Sequence, residues 1–240
     1  MDLTPSTTAA PLHKTLLWLL MASFIALTPS AAFAGRNTSW KVIKNKSGIK
    51  VKKKYIPNYT LPVIRGESVL SANIYDVLAV INDVGKSCKW MADCKDTRVL
   101  VRRSDFDLVV YNRTGTPWPL DDRDVVVQTE IKVDKANQRV LIDFYSINGH
   151  KGKVSGVVRM PTFRGKYILE KLGDQKTRII YQAQADVGGN VPDWVAEIKS
   201  ESIPFDTIHA LRDRVKKTSK TDEYKGFIKK WDPKHGGQGF

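Results

Sequence analysis

Three carboxylates and an arginine follow a proline-rich turn near the middle of the chain, and they are the first candidates for chemistry. The turn reads Thr116-Pro117-Trp118-Pro119-Leu120-Asp121-Asp122-Arg123-Asp124 and leads directly into the apolar run 125–127. Its two prolines fix the backbone and remove hydrogen-bond donors, so a strand can begin only after them. These charges could contact a ligand, but we favour a structural role. Arg123 and Asp124 would form ion pairs or hydrogen bonds that fix the turn at Trp118 and Pro119.

Cys88 and Cys94 are the only two cysteines of the chain. In an exported protein, which the first residues indicate below, a pair at short spacing is most simply a disulfide that closes a small loop. The alternatives are a metal pair or a catalytic thiol. A zinc site needs further ligands, and the histidines at 150, 209 and 235 are scattered. We therefore predict the disulfide, and we expect neither a metal site nor a cofactor.

No other pattern in the sequence is typical of catalysis. It contains no recognisable Ser-His-acid set, metal-ligand cluster or phosphate-binding loop. Catalysis would need an acid or base positioned against a substrate. We therefore expect no catalytic residue and no enzymatic activity.

The elements that would position a binding site are mostly strands. Short strands are predicted at 49–51 and 61–64, with helical segments at 72–82 and 86–91. Seven further strands are predicted at 97–101, 106–111, 125–133, 140–147, 154–160, 166–172 and 177–187. The short turns between them indicate antiparallel hairpins and a curved meander.

A long amphipathic helix closes the predicted domain. Between about 191 and 217, apolar residues recur at helical spacing, Trp194 and Ile198 among them. Pro204 lies inside this pattern and should kink or divide the helix. Strands followed by such a helix predict an α+β fold with the helix packed on one face of the sheet.

The first residues of the chain indicate export. Lys14 precedes an apolar run at 16–27, and Ala32-Phe33-Ala34 places small residues two apart. This is the layout of a secretory signal peptide, and the run is shorter than the ~20 residues of a membrane span. An uncleaved signal anchor is the alternative. We expect a signal peptide at 1–34, one domain at 35–217 and a basic C-terminal tail at 218–240. The protein would be periplasmic in a Gram-negative bacterium and otherwise secreted.

Positive charge is concentrated at the two flanks of this domain. The chain has a formal net charge of +14, residues 35–54 hold eight basic residues and no acid, and residues 216–240 hold seven lysines and three acids. Such flanks favour anionic partners, including lipid headgroups. Export makes nucleic acid an unsuitable partner. The alternative is that these lysines only keep a solvated surface soluble.

Four features in order resemble the START lipid-transfer domain. They are the order of the elements, Trp40 followed by Gly48-Ile49-Lys50-Val51, the Trp118-Pro119-Leu120-x-x-Arg123-Asp124 turn, and the Gly189-x-Val191-Pro192-x-Trp194 entry to the last helix. The resemblance covers about 40–217. It implies a helix-grip fold, in which a curved antiparallel sheet wraps around the C-terminal α-helix and leaves an internal hydrophobic tunnel for one lipid or sterol.

Alternation along the strands predicts which side chains line such a tunnel, because every second residue faces the same side of a sheet. The predicted ligand-binding set is Val125, Val127, Thr129, Ile131, Ile142, Phe144, Val158, Met160, Tyr167, Leu169, Tyr181, Ala183, Val195, Ile198, Phe205 and Ile208. Sterol-handling members of the family carry an arginine at the position of Thr129, so the resemblance does not imply a sterol ligand.

The sequence therefore predicts a protein that binds and transfers a hydrophobic ligand in an internal cavity, the candidates being a phospholipid, a fatty acyl lipid or a sterol-like lipid. We expect a monomer that touches membranes transiently and binds no nucleic acid. For access to the tunnel, the last helix or the loop at 134–138 would have to move. Two alternatives stay open: an enzyme of cyclase or hydrolase type, as the wider helix-grip superfamily includes, and a noncatalytic domain that docks on anionic surfaces.

Overall fold

The computed structural model describes residues 39–57, 59, 61–237 and 239. The predicted signal peptide at 1–34 lies outside these residues. The strands are β1 (Lys41–Lys46), β2 (Ile49–Lys54), β3 (Val63–Leu70), β4 (Cys94–Ser104), β5 (Asp107–Thr114), β6 (Asp122–Asp134), β7 (Arg139–Ser146), β8 (Val157–Arg159), β9 (Thr162–Gly173) and β10 (Lys176–Asp186). The helices are α1 (Ile74–Asn82), α2 (Asp193–Thr218) and α3 (Lys225–Trp231), with short 3₁₀ helices at Val84–Lys89 and Pro233–His235.

The strands form one open, curved sheet in the order β1-β2-β3-β10-β9-β7-β6-β5-β4, with antiparallel neighbours throughout. Strand β8 pairs in parallel with the first residues of β6. The two edge strands are both irregular, since the register of β1 shifts once and that of β4 shifts three times. The predicted α+β class, with a curved antiparallel sheet held against a C-terminal helix, is confirmed.

Helix α2 packs across β2 and β3. Ile208, Leu211 and Val215 of α2 are buried in the main core. Gly66 of β3 permits the close approach, because a Cβ atom there would lie 2.8 Å from Ile208 Cδ1 and 3.1 Å from Pro204 Cβ. Pro204 does not divide the helix, which is continuous from Asp193 to Thr218.

Strand β1 is missing from the sequence prediction because only two of its six residues are apolar and most of the strand is exposed. The structure explains how it forms. Ser47 and Gly48 have φ of 53° and 73°, and Lys46 pairs with Ile49. Positive φ at both central residues is the backbone of a two-residue hairpin turn that matches strand twist. Elsewhere, β3 is longer than predicted, and β8 covers only three residues of the predicted strand at 154–160.

Residues beyond 217 fold onto the domain. Tyr224 is buried, and its hydroxyl donates a hydrogen bond to Asp83 Oδ2 at 3.0 Å. The ring of Trp231 lies 4.6 Å from that of Phe106, and Phe227 also packs against the core. The segment that the sequence marks as a basic tail thus includes helix α3, which contacts α1.

Candidate functional site

A cavity with two adjoining chambers lies inside the fold. The outer chamber, between α2 and the sheet, has about 1210 Å³ of empty space, counting the part open to solvent. The inner chamber lies between the sheet and the 3₁₀ segment after α1, and has about 580 Å³ counted in the same way. Met91, Asn112, Phe163, Tyr167 and Tyr181 line both chambers. These shared residues show that the two chambers adjoin.

Strand β6 supplies one wall of both chambers. Arg123 and Val125 line the outer chamber, and Val127 and Thr129 line the inner one. The residues between them face the other side of the sheet, because side chains alternate along a strand. Val126, for example, belongs to a separate small apolar cluster on that side.

Aromatic side chains stand where the two chambers meet. The rings of Tyr167 and Tyr181 stack at 4.8 Å, and the ring of Phe144 lies 5.3 Å from that of Phe163. Gly165 leaves room for this arrangement, since a Cβ atom there would lie 2.6 Å from Phe144 Cε2. Burial raises the pKa of Tyr181 to about 12 and the pKa of Tyr167 well above its ordinary value. The two phenols therefore stay neutral at physiological pH.

Four loops contribute to the lining of the outer chamber, with residues 61 and 62, 91–93, 115 and 116, and 187 and 191, and we take them as its mouth. The second of these loops is closed by a disulfide between Cys88 and Cys94, as the sequence predicts. Two contacts join this loop to α2. Lys199 Nζ lies 2.5 Å from Asp93 Oδ2, and the Ala92 N–H donates to Thr207 Oγ1 at 3.4 Å. The disulfide loop is thus fastened to the helix across the mouth of the cavity.

Asp124 and Arg123, in the first residues of β6, have different roles. Asp124 is 1% exposed and accepts hydrogen bonds from Arg159 Nε at 2.6 Å and Nη2 at 3.1 Å. This ion pair agrees with the structural role predicted for Asp124. Trp118, by contrast, is 92% exposed, and a cis peptide bond joins it to Pro119.

Arg123 holds the turn and also faces the cavity. Its side chain is 5% exposed and lines the outer chamber. Nη1 donates to the carbonyl of Asp121 at 2.5 Å, and Nη2 donates to the carbonyl of Gly188 at 3.4 Å. The purely structural role predicted for Arg123 is therefore incomplete, because the residue also lines the outer chamber.

The structure brings ten of the sixteen predicted ligand-binding residues to the cavity. Those that line the outer chamber are Val125, Met160, Tyr167, Tyr181, Ala183 and Val195. Those that line the inner chamber are Val127, Thr129, Ile142 and Phe144, together with the two tyrosines. Alternation along β6, β7, β9 and β10 placed most of them, since each of these strands has one face on the cavity.

Six predicted residues line neither chamber, which corrects the predicted lining: Ile131, Val158, Leu169, Ile198, Phe205 and Ile208. Ile131, Leu169 and Ile208 are buried in the packed core. Val158 lies beside the loop at Gly188, and Phe205 lies under Lys44 Nζ, 4.4 Å from its ring centroid.

Ile198 is 58% exposed, because the cavity-facing row of α2 consists of Val195, Lys199, Ile203 and Thr207. Successive residues of an α-helix are about 100° apart around its axis. Ile198 therefore points well away from the position of Lys199. The predicted apolar stripe thus includes Ile198, which faces solvent, and omits Lys199, which lines the outer chamber.

Sequence reasoning does not find the loop residues at the mouth, such as Pro62, Met91 and Val187. They lie outside regular elements, where neither strand nor helix periodicity applies. Arg123 could have been found, because it precedes Val125 by two residues and so shares its face. The loop at 134–138, one of the two segments expected to move for access, lines neither chamber.

The part of the chain that the structure describes contains no group of three or more His, Cys, Asp or Glu side chains that could hold a metal ion. No helix within it is long and apolar enough to cross a membrane.

The chain is similar in sequence and in fold to known proteins. The family model described as START domain matches residues 32–221. An uncharacterized protein of Pseudomonas aeruginosa is 27% identical over 178 residues, which are 74% of this chain and 87% of that protein. A solved fragment of a STAR-related lipid transfer protein from Xanthomonas axonopodis is 27% identical, with a TM-score of 0.68 over 74% of this chain and 98% of that one. Human StAR-related lipid transfer protein 5 shares the fold at 17% identity, with a TM-score of 0.69 over 75% of this chain and 88% of that one.

Proposed function

Because the chain belongs to the START domain family, we propose that it binds a single lipid in its cavity and carries it between membranes. One observation carries the proposal: two adjoining chambers with mainly apolar walls lie inside the fold, and loops contribute to the lining of the outer one. A lipid held there would have its chains removed from water, which is the main source of binding free energy for such a ligand. The mouth would allow it to enter and leave.

The inner chamber suits hydrocarbon. Among the described residues that line it, none is charged, and its polar groups are neutral side chains such as Thr97, Asn112 and Thr129. Thr129 faces the chamber at the position where sterol-handling family members carry arginine. The proposed ligand is therefore a lipid with acyl chains, and the apolar end of the molecule occupies the inner chamber.

We propose a carrier and not an enzyme. The charged residues that line the cavity are Asp93, Arg123 and Lys199, and two of these are paired with each other at the mouth. General acid–base chemistry needs a proton-transfer group within reach of the reacting atom. In the described lining, the inner chamber offers no carboxylate or imidazole for that purpose. A carrier would release its lipid chemically unchanged.

The proposed place of action is an exported compartment, with transient membrane contact by a monomer. The layout of residues 1–34 and the disulfide both suit export. Large apolar side chains are exposed within a few residues of the outer chamber's lining: Trp118 is 92% exposed, Trp194 63% and Ile198 58%. Aromatic residues of this kind settle at membrane interfaces, and the lysine-rich strands β1 and β2 would favour an anionic surface.

The test is to identify what the protein carries. Protein purified from its native compartment is extracted with organic solvent, and the extract is analysed by mass spectrometry. We expect a defined lipid at close to one molecule per protein. The purified protein should also move a fluorescent phospholipid between vesicles of phosphatidylcholine and phosphatidylglycerol.

A cavity-filling variant links that lipid to the cavity. Ala183 of β10 is 4% exposed and lines the outer chamber, so Ala183→Trp should fill the space and abolish lipid uptake. Gln182→Trp places the same side chain at the neighbouring residue, which does not line either chamber, and should keep uptake. Equal lipid content in A183W and the wild type, both folded by circular dichroism, would contradict the proposal.

A further inference from the structure

Arg123 is a buried cation whose hydrogen-bonding capacity is largely unused. A guanidinium has five N–H donors, and two hydrogen bonds are formed, both to backbone carbonyls, one of them long at 3.4 Å. Its Nε atom is buried and has no hydrogen-bond partner. A side chain that is only 5% exposed therefore presents unsatisfied donors beside the cavity that it lines.

Arg123 also has no ion-pair partner among the carboxylates that the structure describes. Asp122 pairs with Arg113, Asp124 with Arg159, and Asp93 with Lys199. Asp121 contacts Arg123 through its backbone carbonyl, and the Asp186 carboxylate accepts a hydrogen bond from the Gly188 N–H. An arginine stays protonated at any physiological pH. Burial of an ion without a counter-charge is costly, so an anion that entered the outer chamber would relieve the cost.

A pair of glycines lies against the guanidinium. Gly188 and Gly189 have φ of 62° and 63°, and a Cβ atom at Gly189 would lie 3.6 Å from Arg123 Nη2. The loop therefore passes over the guanidinium with two residues that carry no side chain. A guanidinium fork matches the oxygen spacing of a carboxylate or a phosphate, and the Arg123 site has the chemistry to bind either group.

We propose that Arg123 binds the anionic head group of the ligand, a carboxylate or a phosphate, while the hydrocarbon chains fill the inner chamber. This inference rests on the function proposed above and narrows it to acidic lipids. The distribution of charge supports this orientation of the lipid, with its head group in the outer chamber and its chains in the inner one. Charged residues line the outer chamber, and the described lining of the inner chamber is neutral. The lipid would lie with its head group near the mouth.

A competition experiment tests the head group separately from lipid binding. The full-length protein is equilibrated with phosphatidylcholine vesicles that contain equal amounts of palmitic acid and hexadecanol, and is then separated from them. Mass spectrometry gives the ratio of acid to alcohol on the protein. A second pair, phosphatidic acid and diacylglycerol with the same chains, distinguishes phosphate from carboxylate. Inorganic phosphate alone, added as a third arm, tests for a site that takes free anions.

The wild type should carry the acidic member of one pair in excess, and that pair identifies the head group. Arg123→Gln should lower the ratio about 10- to 100-fold, the range for losing hydrogen bonds to a charged group. Arg123→Lys should lower it less, because the charge remains and the fork is lost. Arg113→Gln is the matched control. It removes the same charge from the neighbouring strand, where Arg113 pairs with Asp122 and lines neither chamber, and it should keep the wild-type ratio.

The ratio is internal to each sample, so partial unfolding of a variant lowers both members of a pair and leaves the ratio unchanged. If R123Q carries both pairs in wild-type ratios, the inference about Arg123 is overturned while lipid binding stands. If inorganic phosphate displaces the lipid at millimolar concentration, the site takes free anions and the assignment to acidic lipids fails. If the wild type carries no lipid at all, the proposed function fails, and this inference with it.

Discussion

Gly66→Ala should destabilise the protein through the contact between α2 and the sheet. The new Cβ atom would lie 2.8 Å from Ile208 Cδ1, 3.1 Å from Pro204 Cβ and 3.2 Å from the Pro204 carbonyl oxygen. Carbon atoms in contact are normally about 3.5–4.0 Å apart, so α2 must move away or Ile208 must change rotamer. Overpacking of this kind costs about 1–3 kcal/mol. The lower entropy of an unfolded chain with alanine offsets about 0.4–1 kcal/mol of that. We expect a net loss of about 1–2 kcal/mol.

A double-mutant cycle separates the two contacts. Ile208→Val deletes the Cδ1 atom and should cost about 0.5–1.5 kcal/mol by itself. In that background G66A should cost about 1 kcal/mol less than in the wild type, because only the contacts with Pro204 remain. Coupling of this size is typical of residues in direct contact. Gly152→Ala is the control, since a Cβ atom at Gly152 meets nothing within 4 Å, and its effect should stay within about 0.5 kcal/mol.

The assay is urea unfolding followed by tryptophan fluorescence and circular dichroism, with the free energy of unfolding taken from the midpoint and slope. A G66A protein as stable as the wild type would refute the steric reasoning. Strict additivity of G66A and I208V would refute the assignment of the clash to Cδ1. Since Ile203 and Thr207 line the outer chamber from the same helix, G66A should also change the rate of lipid exchange.

Three further predictions concern single groups. The pKa of Tyr181 is raised to about 12 by burial, so the folded protein keeps a proton that the unfolded chain releases above pH ~10. Stability should therefore be intact below pH ~10 and fall as the pH rises towards 12, and Tyr181→Phe should flatten this slope in alkaline unfolding curves. Arg159→Gln leaves the Asp124 carboxylate, 1% exposed, without its partner and should cost about 3–5 kcal/mol in urea unfolding, whereas an effect below ~1 kcal/mol would show that the pair is not needed. Replacing Cys88 and Cys94 by serine should lower the free energy of unfolding by about 2–3 kcal/mol, according to the chain-entropy estimate. If reducing the wild-type protein leaves its thermal unfolding midpoint unchanged, the disulfide does not stabilise the fold.

Regular elements with one face on the cavity could be predicted from the sequence. On β6, alternation alone places Val125, Val127 and Thr129 on the cavity, since the strand pleat fixes the direction of every second side chain. The same rule, carried two residues back, would have included Arg123. A charged residue beside a proline turn is more often structural, so the apolar pattern alone does not include Arg123. The buried face of β6 extends two residues beyond the apolar residues that mark it.

The helix and the loops were less predictable, for physical reasons. On α2, burial changes along its length: Ile208 packs into the core, whereas Ile198 is turned to solvent and Lys199 to the mouth. An apolar stripe does not reveal which part of a helix borders a cavity, because the lining of a mouth can be polar. The mouth itself comes from four loops whose meeting depends on the tertiary fold. The hairpin of β1 and β2 depends on the two turn residues Ser47 and Gly48. Two residues between lysine-rich segments are a weak sequence pattern, so the hairpin was difficult to predict.

The two free edges of the open sheet have a consequence for solubility. An unpaired edge strand is a template for joining another chain, and proteins protect such edges with charge and irregular backbone. Edge β1 carries exposed Lys41 and Lys46 and a register shift, and edge β4 carries exposed Arg98, Arg102 and Arg103 and three such shifts. We expect these basic residues of the two edge strands to disfavour edge-to-edge aggregation. Replacing the basic residues of either edge by threonine should promote self-association even in the absence of membranes.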